Sequence, residues 1–291
     1  MTLQRVLTAV VLIPIVVAAV WRGPTWLVAL LVAVVTLLAL REFFALSVSA
    51  GQASFTRWAC FCSLLLQFQE LVGDSPAAIP SGYFRGGAVL ERLILLDPIA
   101  FPFLLFVVGA GILAIVSRMA PRAALAALAG SSAGLLFVAL PLSFLIRLHG
   151  SFPAGPKYLL FLLLLVWVGD TAAYFVGRAM GRRKMARVLS PQKTWEGAGA
   201  NLFGSLLVGW LFWRWQGGHL AHWLVLAGLA NLAGQVGDLL ESVYKRAAGV
   251  KDSGSLLPGH GGMLDRIDSL IFAAPAAWCY VWLGGAGFGL R

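Results

Sequence analysis

The chain has 291 residues, of which 60% are hydrophobic and only 12% are charged, and its mean hydropathy is +0.86. This composition excludes an ordinary soluble globular domain and indicates a polytopic membrane protein. The formal net charge is +10, but the basic residues stand at the ends of apolar runs, as topology signals and contacts with anionic headgroups do. Binding to nucleic acid is therefore not expected.

The apolar runs predict an all-α fold with about nine transmembrane helices. The first run follows an early arginine, as in a signal peptide, but no small-x-small cleavage site precedes a polar segment, so we expect an uncleaved helix. The third run is the least apolar, because it contains Arg57, Gln67, Gln69 and Glu70. The predicted spans are 6–21, 25–40, 56–73, 96–117, 124–147, 158–177, 199–214, 220–240 and 268–287, and 74–92 is predicted as a loop.

The distribution of basic residues predicts how these helices are oriented. With the N-terminus in the cytoplasm, most of the 22 lysine and arginine residues fall on that side, including those in the loops 178–198 and 241–268. The positive-inside rule therefore places both loops in the cytoplasm, where nucleotides are available. We expect two regions: N-terminal transmembrane helices over 1–150, and a C-terminal region over 151–291 that carries most of the polar motifs.

Three polar motifs interrupt the apolar C-terminal region. WVGDTAAYFVGR at 167–178 places Asp170 in an otherwise apolar helix, and SPQKTWEGAGAN at 190–201 is a loop with Lys193 and Glu196 that leads into the next helix. The third motif starts as QVGDLLES at 235–242 and continues as SVYKRAAGVKDSGSLLPGHGGMLDRIDS over 242–269. Because charge at this density is costly beside apolar segments, these motifs point to chemistry at one membrane face.

The acidic residues of these motifs predict a metal site. Asp265 and Asp268 are three residues apart, so both lie on one face if their segment is helical. Hard oxygen ligands gathered in this way suit Mg²⁺, especially where substrate phosphates complete the coordination. The alternative is that each carboxylate pairs with a nearby cation such as Arg266. The carboxylates predicted near the cytoplasmic face are Asp170, Asp238, Asp265 and Asp268.

The basic residues and glycines of the same motifs are suited to phosphate. Lysine and arginine can hold a triphosphate or a lipid phosphate by charge-assisted hydrogen bonds, although each can also be an interfacial orientation charge. Gly261 and Gly262 allow backbone amides to approach an anion closely. His260 either hydrogen-bonds to lock the turn or contacts phosphate. The candidate phosphate-binding cations are Lys193, Lys245, Arg246, Lys251 and Arg266.

Several motifs of other enzyme classes are missing from the chain. The sequence contains no GxxxxGK[ST] loop, which excludes a P-loop nucleotide site, and no HExxH metal motif. In contrast, the pattern S-x-x-KR-x4-KDSG-x3-PGHGG-x-x-DR-x-D over 242–268 closely resembles the signature of the phosphatidate cytidylyltransferases, also called CDP-diacylglycerol synthases. The resemblance extends to GDL-x-ES at 237–242, SP-x-KT-x-EG at 190–197, GDT-x-AY at 169–174 and, in the bacterial members, REFFAL at 41–46.

The resemblance implies an enzyme that transfers CMP from CTP to phosphatidic acid and releases pyrophosphate. It implies Mg²⁺ held by Asp238, Asp265 and Asp268, with a second metal ion, divalent or K⁺, as an open alternative. It also implies a multi-pass protein of the bacterial inner membrane with its active site towards the cytoplasm, and it suggests a homodimer. The expected catalytic residues are Lys193, Lys245, Arg246, Lys251, Asp252, His260 and Arg266, and the expected substrate-binding residues are Asp170, Glu196, Ser242, Gly261 and Gly262.

Two other functions stay open at this point. A CTP-dependent lipid kinase of the polyprenol or dolichol type would use a similar nucleotide site but would transfer the γ-phosphate. A cation transporter would carry its aspartates near the middle of the bilayer, whereas those predicted here lie at the cytoplasmic ends of helices. The product separates the cytidylyltransferase, which gives a CDP-lipid and pyrophosphate, from the lipid kinase, which gives a phospholipid and CDP.

Overall fold

The computed structural model describes residues 2–73, 97, 99–150, 152–254 and 261–284, with side chains from residue 12 onward. Over these residues the chain forms nine helices and one antiparallel hairpin of two short strands. The elements are α1 (Thr2–Arg22), α2 (Thr25–Ser49), α3 (Thr56–Gly73), α4 (Ala100–Val116), α5 (Pro121–Gly150), α6 (Gly155–Met180), β1 (Lys184–Ala186), β2 (Ser190–Thr194), α7 (Trp195–Gln216), α8 (Leu220–Ala247) and α9 (Leu264–Gly284).

Five of the described helices, α2, α5, α6, α8 and α9, are long and apolar enough to cross a membrane. The predicted all-helical, multi-pass architecture is confirmed at this level. The predicted loop over 74–92 lies outside the described residues, as does the end of the last predicted span beyond residue 284. Within α5, five residues, Leu135–Ala139, form a π-helical turn between two α-helical stretches.

Helix boundaries differ from the predicted spans where polar residues continue a helix. The second predicted span ends at residue 40, but α2 continues to Ser49 through the REFFAL segment. The run of apolar residues is interrupted at Arg41 and Glu42, whereas the backbone hydrogen bonding of the helix continues to Ser49. Similarly, α7 begins at Trp195, where the side chain of Thr194 caps the helix by accepting a hydrogen bond from Gly197 N at 3.2 Å.

The described residues form two compact units. The first contains the chain up to Pro156 together with the described part of Asp252–Leu264. Its core is made by α2, α3 and α5. The side chains of Leu40, Phe43, Leu66 and Leu142 are completely buried there. Polar residues in the second half of α3 face this interior, where Gln67 donates to Thr36 Oγ1 at 2.6 Å and Glu70 pairs with Arg147.

The second unit contains Lys157–Lys251 and α9 from Asp265 onward. Its aromatic core joins α6, α7 and α8, with the ring centroid of Phe161 at 5.0 Å from Phe212 and 5.3 Å from Trp223. Close backbone approach between α7 and α8 occurs at Gly209, where a Cβ would lie 2.9 Å from Trp223 O. The hairpin, which the sequence predicted only as a loop, joins α6 to α7 with Lys184 opposite Thr194.

Candidate active site

A cluster of three carboxylates lies between two helices of the second unit. Asp238 and Glu241 are three residues apart on α8, and Asp268 is on the second turn of α9. One carboxylate oxygen from each lies within 4.8 Å of the other two. The side chain of Glu241 is 0% exposed, while that of Asp238 is 28% exposed. Negative charges this close repel one another unless cations compensate them.

Two lysines supply part of this compensation. Lys193 Nζ, from β2, lies 2.5 Å from Asp238 Oδ2. Lys245 lies one helical turn after Glu241 and pairs with it, and its Nζ also donates to Asp265 Oδ1 at 2.7 Å. Asp265 is therefore held by Lys245, and Glu241 takes the third place in the carboxylate cluster with Asp238 and Asp268.

A chain of buried amides fixes Asp170, which lies on α6. Asn201 Nδ2 donates to Asp170 Oδ1 at 3.1 Å, and Asn201 Oδ1 accepts from Asn231 Nδ2 at 2.5 Å. Asn231 Nδ2 also donates to Ser205 Oγ at 2.7 Å, and Gln235 Nε2 donates to Asn231 Oδ1 at 2.7 Å. Because buried polar groups are costly unless they are hydrogen-bonded, this network specifies how α6, α7 and α8 pack beside the site.

An open cavity of about 840 Å³ adjoins these groups. This size is within the range of small-molecule binding sites, which are about 300–1,000 Å³. Its walls come from α6, the hairpin, α7 and α8, and they carry both acidic and basic side chains. The polar residues that line it include Asp170, Arg178, Lys184, Lys193, Asn201, Gln235 and Asp238.

Glu196 has a structural role at the start of α7. Its carboxylate accepts hydrogen bonds at 3.2 Å from the backbone N–H groups of Arg182 and Arg183, at the entrance to the hairpin. Hydrogen bonds from its own backbone N–H and then from Arg183 and Arg182 lower the pKa of this carboxyl below its ordinary value. Glu196 therefore holds the base of the hairpin that carries Lys193.

Three further predicted residues lie near the end of α8. Arg246 donates from Nε to Leu189 O and from Nη1 to Val250 O, each at 3.0 Å, so its guanidinium ties the loop between the strands to the end of α8. Ser242 Oγ donates to Asp238 O at 3.0 Å within the helix. Lys251 is exposed, as is Arg266 on α9.

The remaining predicted site residues belong to the first unit or lie outside the described residues. Asp252 is exposed, and Gly261 has a φ of +79°, a left-handed conformation that favours glycine. Gly262 lies against the carboxylate of Glu42, a residue of α2. The structure thus places a carboxylate of the protein itself beside the glycine for which an anionic ligand was predicted. His260 is outside the described residues.

The structure brings Lys193, Lys245, Asp238, Asp265 and Asp268 together in the second unit, but the sequence interpretation missed four neighbours. These residues are Asn201, Asn231, Gln235 and Glu241. A helical period would have identified three of them, because polar side chains recur on α8 at positions 231, 235, 238, 241 and 245 of an otherwise apolar run. The role of Asn201 depends on the packing of α7 against α6, which has no local signal.

One known family matches almost the whole chain, and individual relatives match a shorter part of it. Residues 3–283 match the sequence model of the cytidylyltransferase family. The chain is 47% identical over 123 residues to a phosphatidate cytidylyltransferase of Staphylococcus epidermidis, and 48% and 46% identical to those of Staphylococcus saprophyticus and Staphylococcus aureus. Each alignment covers 42% of this chain and 47% of the relative, so the chain spans about half the length of the curated relatives it matches. The chain belongs to the cytidylyltransferase family.

Proposed function

We propose that this protein transfers CMP from CTP to phosphatidic acid, giving CDP-diacylglycerol and pyrophosphate for phospholipid synthesis. The observation that carries the proposal is the carboxylate cluster of Asp238, Glu241 and Asp268. Asp238 of this cluster and its partner Lys193 line a cavity in the range of small-molecule sites. Family membership and the phosphatidate cytidylyltransferases that match 123 residues of the chain support the same reaction.

The acidic cluster fits Mg²⁺. All its donors are carboxylate oxygens, the ligand type that this hard cation prefers, and at least one of the three acidic side chains is partly exposed. Asp238, Glu241 and Asp268 would hold the ion, and Asp265 would act by holding Lys245. When bound, Mg²⁺ would neutralise negative charge on the phosphate oxygens of CTP. A second metal ion, divalent or K⁺, stays a prediction.

The reaction needs positioning and charge neutralisation more than proton transfer. The ionised phosphate of phosphatidic acid is already a nucleophile. One of its oxygens forms a bond to the α-phosphorus of CTP, and the bond from that phosphorus to the oxygen bridging the α- and β-phosphates breaks. Pyrophosphate leaves with the electron pair of that bond. The protein must hold the two anions close together against their repulsion.

Lys193 is the best-placed residue for this task. Its side chain is 26% exposed, lines the cavity and is paired with Asp238, so its ammonium can also contact triphosphate oxygens. Lys245 is more enclosed and keeps Glu241 and Asp265 in place. Arg246 supports the hairpin, Glu196 holds its base, and the exposed cations Lys251 and Arg266 would contact phosphates of the substrates.

The reaction would take place at the cytoplasmic face of the bacterial inner membrane. We propose nine spans with the N-terminus in the cytoplasm, because this arrangement gives the loops 178–198 and 241–268 the excess of lysine and arginine. The hairpin and the end of α8 would then face the compartment that contains CTP. Assembly as a homodimer is part of the same proposal and rests on the family resemblance.

The test uses purified protein in detergent micelles with phosphatidic acid, Mg²⁺ and CTP labelled at the α- or the γ-phosphate. The proposal expects label in the lipid from α-labelled CTP and in pyrophosphate from γ-labelled CTP. Transfer of the γ-label to lipid would instead identify a lipid kinase, and label found only in free nucleotide would overturn both reactions.

Asp268→Asn should remove the transfer of CMP to lipid, because it removes one charged oxygen of the carboxylate cluster. The matched control Asp97→Asn should retain it, because Asp97 lies outside the cavity lining and accepts hydrogen bonds from Ile99 N and Ala100 N at the start of α4.

A further inference from the structure

Glu42 connects the REFFAL segment of α2 to the signature run. Its side chain is buried, with the residue 9% exposed, and its carboxylate accepts hydrogen bonds from Ser253, Met263 and Leu264. Ser253 Oγ donates to Oε2 at 2.8 Å, Met263 N donates to Oε1 at 2.9 Å, and Leu264 N donates to Oε2 at 2.9 Å. One carboxylate thus binds Ser253, in the segment that follows α8, and the backbone at the start of α9.

A carboxylate is suited to this position for two physical reasons. Leu264 is the first residue of α9, and the first N–H groups of a helix have no partner within the helix. A negative charge beside them is stabilised by the helix dipole and by charge-assisted hydrogen bonds. A neutral amide would offer one acceptor oxygen and would turn an N–H₂ group towards the other donors.

The neighbouring glycines are explained by the same contact. A Cβ on Gly262 would overlap Glu42 Oε2 and Ser253 Oγ, and a Cβ on Gly254 would lie 2.8 Å from Glu42 Oε1. Both glycines therefore give the carboxylate room to reach the backbone. Gly261 serves a different purpose, since its φ of +79° sets the turn that leads into α9.

We propose that Glu42 is a positioning residue that fixes the start of α9 and, through this helix, the setting of Asp265 and Asp268. These two residues follow the bound Leu264 in the first and second turns, so a change in where the helix begins would move both carboxylates. The catalytic consequence rests on the proposed function. The contact itself does not, which allows the two to be tested separately.

The first test is hydrogen exchange, measured by mass spectrometry on peptides that cover 261–270 of the full chain in detergent. In Glu42→Gln and Glu42→Ala we expect amide exchange in this segment to become about tenfold faster or more, because the N–H groups of Met263 and Leu264 lose a charged acceptor. Peptides of α6 should keep their exchange rates. Unchanged exchange at 261–270 in both variants would overturn the proposal.

The second test is a double-mutant cycle with Gly262→Ala, measured by thermal unfolding and by CMP transfer. Gly262→Ala alone should be harmful because the new methyl group meets the Glu42 carboxylate. In the Glu42→Ala background the overlap with the carboxylate is removed, and the Ser253 hydroxyl, which also meets the methyl group, is no longer held by Glu42 and can turn away. The added effect of Gly262→Ala on turnover should therefore be several-fold smaller. Effects that simply add would contradict the contact. Gly111→Ala is the matched control, since a Cβ there meets nothing within 4 Å, and it should behave as the wild type.

Kinetics separate positioning from a general loss of folding. For Glu42→Gln we expect kcat to fall about tenfold or more and the Mg²⁺ concentration for half-maximal rate to rise, while KM for CTP changes less than about threefold. Glu42→Asp should recover part of the loss, because it keeps the charge. A lower yield of protein with wild-type kcat and Mg²⁺ dependence would overturn the proposal. If the wild type transfers no CMP, the proposed function fails while hydrogen exchange still decides the role of Glu42.

Discussion

Lys245 lies between two acidic side chains and holds both. Glu241, which is 0% exposed, comes one helical turn before it, and Asp265 belongs to the next helix. Removing one partner from such a buried group leaves an uncompensated charge, which costs far more than the intact arrangement contributes. At the level of single residues, Lys245 is therefore a structural cation of the site.

We expect Lys245→Met to lower the free energy of unfolding by about 3 kcal/mol or more, because Glu241 and Asp265 both lose their cation. The measurement is thermal unfolding in detergent, where this loss corresponds to a melting temperature lower by about 6 °C or more. Lys251→Met is the matched control, since Lys251 is exposed, and it should stay within about 0.5 kcal/mol of the wild type. Equal stability of the two variants would contradict this role for Lys245.

The carboxylate cluster leads to a prediction about metal dependence. Asp238→Asn and Glu241→Gln should each raise the Mg²⁺ concentration for half-maximal transfer about tenfold or more, because each removes one charged oxygen ligand. A Mg²⁺ titration of CMP transfer, compared with Asp97→Asn, measures the change. Unaltered Mg²⁺ dependence in both variants would assign the ion to other residues.

At the scale of elements, α6 and α7 pack closely because glycines remove side chains from their contact. A Cβ on Gly169 would overlap the Asn201 side chain, and a Cβ on Gly204 would lie 3.3 Å from Ala172 Cβ. Asn201 is also the residue that donates to Asp170. The glycine before Asp170 in the GDT segment thus serves the amide network that borders the cavity.

Gly169→Ala should destabilise the protein by about 1–3 kcal/mol, because the methyl group displaces Asn201. CMP transfer should fall with it, since Asp170 loses its hydrogen-bond partner. Gly199→Ala on the same helix pair is the control, because a Cβ there meets nothing within 4 Å. Alanine at that position should be neutral or stabilise the helix by up to about 1 kcal/mol. Thermal unfolding and the transfer assay compare the two, and identical behaviour would contradict the packing argument.

At the scale of the whole molecule, orientation in the membrane decides which compartment the cavity faces, and the proposed substrate CTP requires the cytoplasm. The proposed topology places the hairpin in the cytoplasm and the short turn between α7 and α8 on the opposite side. Val188, between the strands, is 84% exposed, and His219, in that turn, is also exposed. These two positions flank opposite ends of α7, so in the proposed topology they report on opposite sides of the membrane.

Single cysteines at these positions test the topology. In a chain whose native Cys60, Cys62 and Cys279 are replaced by alanine, Val188→Cys should react with a membrane-impermeant maleimide only after cells are opened. His219→Cys should react in intact cells once the outer membrane is permeable. The reverse pattern would overturn the cytoplasmic orientation, and retained CMP transfer in each variant shows that the fold is intact.

The helices were predictable because hydropathy is a local property. The apolar runs located all nine described helices, and the bounds of α3 agree with the predicted 56–73. The polar motifs also indicated which segments carry the chemistry, since charge in apolar surroundings stands out in the sequence itself. The ends of α2 and α7 were less predictable, because tertiary contacts and a cap extend them beyond the apolar residues.

Which charges meet was decided only by the tertiary structure. The sequence contained Asp238, Asp265, Asp268 and the lysines, but the pairing of Lys245 with Asp265, and the place of Glu241 in the cluster, depend on how α8 lies against α9. The contact of Glu42 with Ser253 and Leu264 joins residues more than two hundred positions apart. Local patterns record which groups are costly to bury, whereas the partners that compensate them are set by packing between distant segments.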